Sequence, residues 1–331
     1  MRPQQLADTL KDLIKIKRTV TITGAPGGGK TSIVRDVTKS LGIAYVEQHM
    51  PTMLVEDFGV PDMMGTGHSF GYKMPDWFPD ARNPDTPKAG VLCFDDRNQA
   101  SADLQKVLAN ICQARTLHGV PMPDGWTVVN TGNRQNDRAG ANRVLSHLAD
   151  RETELPLDTH LDDWCGWALN NGIRPELVSF IRFRPNLLHD FDPQREKNST
   201  PRSWVEGVNN LIDKIPKESE YECFKGAVGE GAAAEFMGFL KIFRKLPNPD
   251  AVLMNPDTSD VPTDPATLYA LSGALAQRAT ESNFERVCRY VERMPAEFSV
   301  LSVSIAVKRD PELCNTGAFN NWVVKHNDVL F

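Results

Sequence analysis

The sequence predicts an α/β fold with a parallel sheet, followed by an all-helical second part. Three observations lead to this prediction. A β-branched run, Val20–Ile22, leads through a glycine-rich loop into a helix-like run at 32–37. Strand-like and helix-like segments then alternate as far as residue 157, as they do around a parallel sheet. From about His160 onward the apolar spacing is helical only.

The glycine-rich loop has the G-x-x-x-x-G-K-T spacing of a phosphate-binding P-loop. Glycines allow several backbone N–H groups to converge on phosphates, and the helix that follows directs its positive end at them. Lys30 can reach the β- and γ-phosphates, and the Thr31 hydroxyl can bind Mg²⁺. The loop therefore predicts a nucleotide phosphate site made of Gly24, Ala25, Pro26, Gly27, Gly28, Gly29, Lys30 and Thr31.

Segments on either side of the P-loop complete the first half of the predicted sheet. Helical spacing over residues 3–17 precedes the loop, and a strand at Ile43–Glu47 follows the P-loop helix. A short helix is expected at Thr52–Phe58. Residues 59–74 then form a surface insertion, in which 69–74 alternate as one arm of a hairpin would.

Two carboxylates follow the next buried strand. The apolar run Val91–Phe94 ends in Asp95 and Asp96, at the edge where ligands bind in open α/β sheets. Asp95 is predicted to hold Mg²⁺, directly or through water. Asp96 is predicted to polarise the attacking water.

A polar amide follows the strand after that. A helix at 100–115 and a Pro/Gly-rich loop at 116–125 lead into the apolar run Trp126–Thr131, which is followed by Asn133. An amide at this position can orient a water near the γ-phosphate. A short helix at 139–150 and a last strand at 152–157 complete the predicted core.

The second part carries one unusual arginine. Thr200 is placed to cap a helix at 203–214, and Arg202 lies in its first turn, where the helix dipole favours acids. This favours a functional role for Arg202, with a solvated surface arginine as the alternative. A Pro/Asp-rich link at 247–264 interrupts the later helices, predicted at 220–228, 232–246, 265–280, 282–294, 297–308 and 318–325.

The composition is that of an ordinary globular protein. The chain has 331 residues, 40% hydrophobic and 24% charged, and a net charge of −6 argues against a global field for nucleic acid. The N-terminus lacks the apolar core of a signal peptide, and no 18-residue apolar run is present, so no membrane association is expected. The six cysteines have no CxxC spacing and are expected to be reduced, which predicts a cytoplasmic protein.

The order of these motifs resembles that of the AAA+ ATPases, and the finer resemblance is to their MoxR-like branch. Pro75–Pro79, Thr131–Arg134 and Thr200–Arg202 look like segments of that branch, and 59–74 is similar to its helix-2 insert. The resemblance is densest over 18–205. Two later stretches, 164–168 and 179–185, resemble a bacterial and phage subgroup whose C-terminal helices continue past the usual lid.

The resemblance implies a role for each motif residue. The P-loop would be Walker A, and Asp95 would be the metal residue of Walker B. Asp96 stands where many relatives have Glu, one methylene longer, as the catalytic base. Asn133 would be sensor 1, with Asn130 as the neighbouring alternative.

The remaining roles fall on arginines. Arg151 would be a finger that reaches the nucleotide of a neighbouring subunit, with Arg143 as the alternative. The Arg-Phe pair usual in the family is Arg151-Glu152 here. Arg202 would be sensor 2, in the lid, and would contact the γ-phosphate of its own subunit.

The resemblance also implies an architecture and a function. The domains would be an AAA+ core at 1–158, a helical lid at 159–249 and a C-terminal helical extension at 250–331. Such proteins form homo-oligomeric rings, usually hexamers, that hydrolyse ATP with Mg²⁺. They remodel a protein partner, typically one with a von Willebrand factor A domain.

Two other functions remain open from the sequence. One is a nucleic-acid-handling ATPase, such as a helicase loader or a McrB-like translocase. The acidic composition argues against it, and the basic clusters Lys15–Arg18 and Lys241–Lys245 are short. The other is a small-molecule P-loop kinase, in which Asn133, Arg151 and Arg202 would have no evident purpose.

Overall fold

A five-stranded parallel sheet forms the centre of the first of two compact units, Met1–His160, and the second unit, Leu161–Phe331, is built of helices. The predicted α/β class, a P-loop core with a parallel sheet followed by an all-helical part, is confirmed. The computed structural model describes residues 1–63, 71–134, 152–246 and 248–326.

The strand order of this sheet brings three loops together. In chain order the described strands are β1 (Val20–Gly24), β2 (Ala44–His49), β3 (Val60–Asp62), β4 (Gly71–Lys73), β5 (Ala89–Asp95), β6 (Thr116–Leu117), β7 (Val120–Pro121), β8 (Gly125–Gly132) and β9 (Thr153–Leu157). The sheet order is β2-β5-β8-β1-β9, and every neighbouring pair is parallel. Parallel strands end at the same edge, so the loops after β5, β8 and β1 lie side by side.

Helices cover both faces of the sheet, which explains the continuous apolar runs of its central strands. The helices are α1 (Pro3–Lys15), α2 (Lys30–Leu41) and α3 (Ala102–Ala114). Alternate residues of β5 point to opposite faces. Val91 and Cys93 join the apolar core that contains α1 and α2, whereas Leu92 and Phe94 join the core that contains α3.

The structure differs from the predicted elements at three places in this unit. The second strand runs to His49, two residues beyond its predicted end. The predicted helix over 52–58 consists of two 3₁₀ turns, Met50–Thr52 and Val55–Phe58. The predicted loop at 116–125 contains a two-stranded ribbon of β6 and β7. The insertion is described at 59–63 and 71–74, where β3 and β4 pair as an antiparallel hairpin.

The second unit is organised around one helix that is buried on most sides. That helix is α9 (Pro265–Arg278). The other α-helices described in this unit are α4 (Leu161–Asn170), α5 (Pro175–Phe183), α6 (Glu220–Val228), α7 (Glu230–Phe243), α8 (Pro249–Met254), α10 (Phe284–Val291), α11 (Ala296–Arg309) and α12 (Gly317–Lys325). Ala266 and Ala270 of α9 pack into one apolar core, and Leu271 and Leu275 pack into the other. The division of this region at 249/250 remains a prediction.

The later helices match the sequence pattern closely, with two differences. The helix predicted at 203–214 is a π-helix at Ser203–Asn209, and Thr200 Oγ1 accepts a hydrogen bond from the Ser203 N–H at 3.2 Å, as the capping prediction requires. The link predicted at 247–264 contains α8. Among the described residues, no helix has the length and apolar character needed to cross a membrane.

The cysteines are free thiols. Four of the six are buried, Cys223 is exposed and Cys314 is intermediate. Burial raises the pKa of Cys112 and of Cys165 to about 11, so these thiols stay protonated and unreactive near neutral pH.

Gly90 of β5 provides a test of the packing between β5 and β8. A Cβ at Gly90 would lie 2.7 Å from the ring of Trp126, its partner on β8. That ring is 1% exposed, and its Nε1 donates to the Pro87 carbonyl at 2.6 Å, so it cannot easily move. We expect Gly90→Ala to lower the free energy of unfolding by about 1–3 kcal/mol, measured by urea titration.

The matched control is Gly71→Ala on β4. In the described part of the chain no atom lies within 4 Å of a Cβ built there. Its effect should stay below about 1 kcal/mol. Equal losses in the two variants would contradict the packing argument.

Candidate functional site

The P-loop joins β1 to α2 through backbone conformations that glycine favours. Gly27 has φ 70° and Gly29 has φ 90°, both in the left-handed region. Lys30 is the first residue of α2, so the unpaired N–H groups of that helix begin at the loop. Gly24 lies close to β9, because a Cβ there would be 3.0 Å from the Leu157 carbonyl oxygen. The loop has the local conformation that anion binding requires.

The Lys30 side chain is turned into the loop and is 6% exposed. Its ammonium donates to the carbonyl oxygens of Gly24 and Ala25, both at 3.1 Å, and to Asn133 Oδ1 at 2.8 Å. A buried ammonium requires such partners. The loop lysine and the amide after β8 are therefore in direct contact.

Asn133 bridges the P-loop lysine and the second carboxylate. Its Oδ1 accepts from Lys30, and its Nδ2 donates to Asp96 Oδ1 at 3.3 Å. Asn98 holds the Asn133 backbone, because Asn98 Nδ2 donates to the Asn133 carbonyl at 2.6 Å and Asn98 Oδ1 accepts the Asn133 N–H at 3.3 Å. Asn130, the alternative, is fully buried and donates to Thr21 and Glu152. Of the two amides, Asn133 is the one that contacts Lys30 and Asp96.

Asp95, at the end of β5, is fixed by three side chains. Its Oδ1 accepts from the hydroxyls of Thr31 and Thr131, at 2.5 and 2.6 Å, and its Oδ2 lies 3.2 Å from His49 Nδ1. Burial raises the pKa of Asp95, but the hydrogen bonds from Thr131, Thr31 and His49 outweigh burial, so the net pKa is lowered from its ordinary value. Asp95 is therefore a carboxylate over the physiological pH range.

Asp96 occupies a strained position directly after Asp95. Its φ of 50° is left-handed, which Asp tolerates better than most residues, and its backbone N–H donates to Thr131 Oγ1 at 3.1 Å. A 3₁₀ turn, Arg97–Gln99, begins immediately afterwards. This backbone presents the Asp96 carboxylate to Asn133.

Two groups at the site are absent from the sequence prediction. His49 is the last residue of β2, which extends two residues beyond its predicted end, and it pairs in register with Asp95. Ligand atoms of His49, Asp95 and Asp96 lie within 4.8 Å of one another. Thr131 begins the segment Thr131–Arg134, but the sequence predicts no role for it. Both residues lie at the ends of parallel strands next to β5, and the shared edge of those strands is the feature from which they could be predicted.

A buried ion pair supports the turn that carries the carboxylates. Both guanidinium amino groups of Arg97 donate to Glu152, at 2.5 and 2.8 Å, and the two side chains are 4% and 6% exposed. Thr21 Oγ1 and Asn130 Nδ2 also donate to Glu152 Oε2, at 2.7 and 3.1 Å. The pair connects the turn after β5 to residues of β1 and β8 and to the residue before β9.

The two arginines predicted to complete the site, Arg151 and Arg202, lie elsewhere in the chain. Arg202 belongs to the second unit, where it is exposed and immediately precedes the π-helix. Arg151 and its alternative Arg143 lie outside the described residues. Their roles remain predictions.

The donors at the site suit a hard divalent cation. The Thr31 hydroxyl and the Asp95 carboxylate are oxygen ligands, which Mg²⁺ prefers, and their oxygens are already in contact. Lys30 supplies a positive charge next to Asn133. Asp96 is a carboxylate able to accept a proton, and the Asn133 amide beside it is able to orient a water. Together these groups form a site that can bind a nucleotide phosphate with its metal.

Comparisons with known proteins give similarity in structure only. No protein-family model matches the sequence, and no curated protein is similar to it. The solved structures similar to this chain include three that are each 14% identical to it. NtrX from Brucella abortus has a TM-score of 0.41, and the match covers 91% of this chain and 67% of NtrX. For a candidate ATPase from Cytophaga hutchinsonii the TM-score is 0.36 with coverages of 98% and 88%, and for a RuvB point mutant from Thermotoga maritima it is 0.39 with coverages of 82% and 80%. At 14% identity and TM-scores below 0.5, these similarities assign no function to this chain.

The buried ion pair gives a stability test. Arg97→Met leaves the Glu152 carboxylate buried without its cation, and we expect a loss of about 3–5 kcal/mol in the free energy of unfolding. Replacing both residues by Met removes the uncompensated charge and should restore most of that loss. Urea unfolding followed by tryptophan fluorescence measures both.

The exposed pair Lys106–Asp103, with side chains 67% and 73% exposed, is the matched control. Lys106→Met should change the free energy of unfolding by less than about 1 kcal/mol. A double variant that is no more stable than Arg97→Met would show that the buried pair itself contributes the stability.

Proposed function

We propose that this protein is an AAA+ ATPase of the MoxR-like type, which hydrolyses ATP with Mg²⁺ in a homo-oligomeric ring and uses the cycle to remodel a protein partner. The observation that carries the proposal is the continuous network from Lys30 through Asn133 to Asp96, beside Asp95 and Thr31. It joins a phosphate-binding loop to a candidate base and to candidate metal ligands.

Binding of ATP begins at the loop. The N–H groups of the P-loop and of the first turn of α2 receive the phosphate oxygens. Lys30 exchanges its contacts with the Gly24 and Ala25 carbonyls for contacts with the β- and γ-phosphates. Thr31 and Asp95 would hold the Mg²⁺, which would neutralise charge on the phosphates.

Hydrolysis is assigned to the two groups in contact after β5 and β8. Asn133 orients the attacking water, and Asp96 accepts its proton. The 3.3 Å contact between Asn133 Nδ2 and Asp96 Oδ1 supports this pairing, because two groups so close together are within reach of one water. Lys30, on the other side of Asn133, stabilises the charge that develops on the transferred phosphoryl group.

Two arginines from other segments of the chain complete the proposed catalytic site. Arg151 acts as the finger in the site of a neighbouring subunit, and Arg202 senses the γ-phosphate in its own subunit. A cationic finger in trans stabilises the transition state only in an assembly. A ring, of hexamer size by the resemblance, follows from this arrangement.

A protein partner is favoured over nucleic acid by the surface of the insertion. Val60 and Tyr72 on the hairpin, and Met63 beside it, are 47%, 41% and 79% exposed. Exposed apolar groups of this kind are typical of protein contacts. With a net charge of −6, the chain offers no overall attraction for nucleic acid. A partner with a von Willebrand factor A domain is part of the proposal by resemblance alone.

The base assignment is tested by Asp96→Asn. Asn keeps the shape and the acceptor for Asn133 but cannot take the proton, so we expect ATP turnover to fall by about 10²–10⁴-fold. The affinity for ATP should stay within about threefold, because the P-loop contacts are intact. Phosphate release and titration with a fluorescent ATP analogue measure the two quantities.

Lys30→Ala is the contrasting variant and should lose ATP binding itself. Turnover that survives in Asp96→Asn would move the base elsewhere. The same Asp96→Asn protein, held with ATP, also tests the partner by pull-down and mass spectrometry. Stimulation of wild-type turnover by DNA and not by the captured protein would reject the remodelling function.

The trans finger is tested by mixing subunits. We expect Arg151→Ala to reduce turnover by about 10³-fold or more and to leave nucleotide affinity unchanged. Mixing it with Lys30→Ala should restore part of the activity, because the second subunit binds no ATP but supplies Arg151.

The control for this experiment is the double variant Lys30→Ala/Arg151→Ala, which cannot supply the finger and should not restore activity. Full activity of Arg151→Ala alone would assign the finger to another residue, and Arg143→Ala is then the next variant.

A further inference from the structure

His49 lies where a third protein ligand of the metal would lie. It is the last residue of β2, paired in register with Asp95, the last residue of β5. The 3₁₀ turn that follows is held by Thr52, whose hydroxyl donates to the His49 carbonyl at 2.9 Å, and by Met50, which is 1% exposed. The backbone of His49 is thus fixed at the edge of the sheet where the nucleotide site lies.

The two oxygens of Asp95 face different partners. Oδ1 accepts from the Thr31 and Thr131 hydroxyls, whereas Oδ2 lies 3.2 Å from His49 Nδ1. Two ligand atoms at adjacent corners of an octahedral cation, each at about 2.1 Å, are about 3 Å apart. The 3.2 Å between Oδ2 and Nδ1 is therefore close to the separation of two ligand atoms bound to one ion.

The mixed donor set sets this site apart from a plain magnesium site. Mg²⁺ is satisfied by carboxylates, hydroxyls and water, whereas imidazole nitrogen favours divalent ions of the first transition row. The His49 side chain is 48% exposed, so the ring can adjust its angle without losing buried contacts. Asp96, in the same cluster, adds a second negative charge near the ion.

We propose that His49 is a nitrogen ligand of the cation held by Asp95, and that the site therefore binds a first-row transition ion such as Mn²⁺ more tightly than Mg²⁺. The inference rests on the proposed function only for the assignment of Asp95 as a metal ligand. Mn²⁺ is the weakest binder in that row. Because Mn²⁺ also accepts oxygen donors, the measurement that identifies a nitrogen ligand is the nitrogen coupling on the bound ion, and the preference over Mg²⁺ is secondary to it.

Ligation and simple hydrogen bonding by His49 require different states of Nδ1. As a hydrogen-bond donor to Asp95, Nδ1 carries the proton. As a ligand it offers its lone pair, and the proton is on Nε2. His49→Asn separates the two roles, since an amide still donates to Asp95 but has no nitrogen lone pair to offer a metal.

The experiment titrates Mn²⁺ alone into the full chain, followed by EPR, with Mg²⁺ affinity obtained by competition. We expect the wild type to bind Mn²⁺ about tenfold or more tighter than Mg²⁺, with a ¹⁴N coupling on the bound ion in pulsed EPR. His49→Asn and His49→Ala should both lose the coupling, and His49→Ala should weaken Mn²⁺ by about tenfold or more, with Mg²⁺ changed by less than about twofold.

His118→Ala is the matched control. His118 is an exposed histidine of the same unit, stacked on Tyr72 at 3.7 Å between ring centroids, and its loss should leave Mn²⁺ binding and the coupling unchanged. Absence of ¹⁴N coupling in the wild type, or its persistence in His49→Asn, would overturn the inference.

ATP turnover with Mg²⁺ is measured separately on the same protein. Turnover without ¹⁴N coupling rejects the role of His49 and leaves the proposed function standing. Coupling without turnover rejects the ATPase and leaves the metal ligand standing.

Discussion

The bridging amide of Asn133 is the interaction on which the rest of the site depends. It can contact Lys30 on one side and Asp96 on the other because β8 lies between β1 and β5 in the sheet. Adjacent strands are about 4.8 Å apart, so the ends of β1 and β5 lie about 10 Å apart with β8 between them. The middle strand fills that gap with one residue whose amide offers both an acceptor and a donor.

Polar groups away from the site hold this edge of the sheet in place. Asn98 fixes the backbone of Asn133 from the turn after β5, and Arg97 in the same turn is paired with the buried Glu152. Desolvation makes such a pair costly to form and more costly to break on one side. The turn is thereby tied to its neighbours through charge and hydrogen bonds as well as through apolar packing, which suits a segment that carries two adjacent carboxylates.

The sequence predicts those parts of the site whose residues form a recognisable pattern within a short stretch of chain. The P-loop, the pair after an apolar run, and Asn133 after the next strand are each local patterns, and the parallel order places them at one edge. His49 was missed because the predicted strand stops at Glu47, and Arg97 with Glu152 because the pair is separated by 55 positions. Charged residues are expected at the surface, so neither of these two indicates burial in the sequence.

The short carboxylate at position 96 is explained by the backbone that holds it. The left-handed conformation of Asp96 turns its side chain to Asn133 Nδ2 at 3.3 Å, while its own N–H is held by Thr131. The amide after β8 and the carboxylate after β5 are therefore matched in reach.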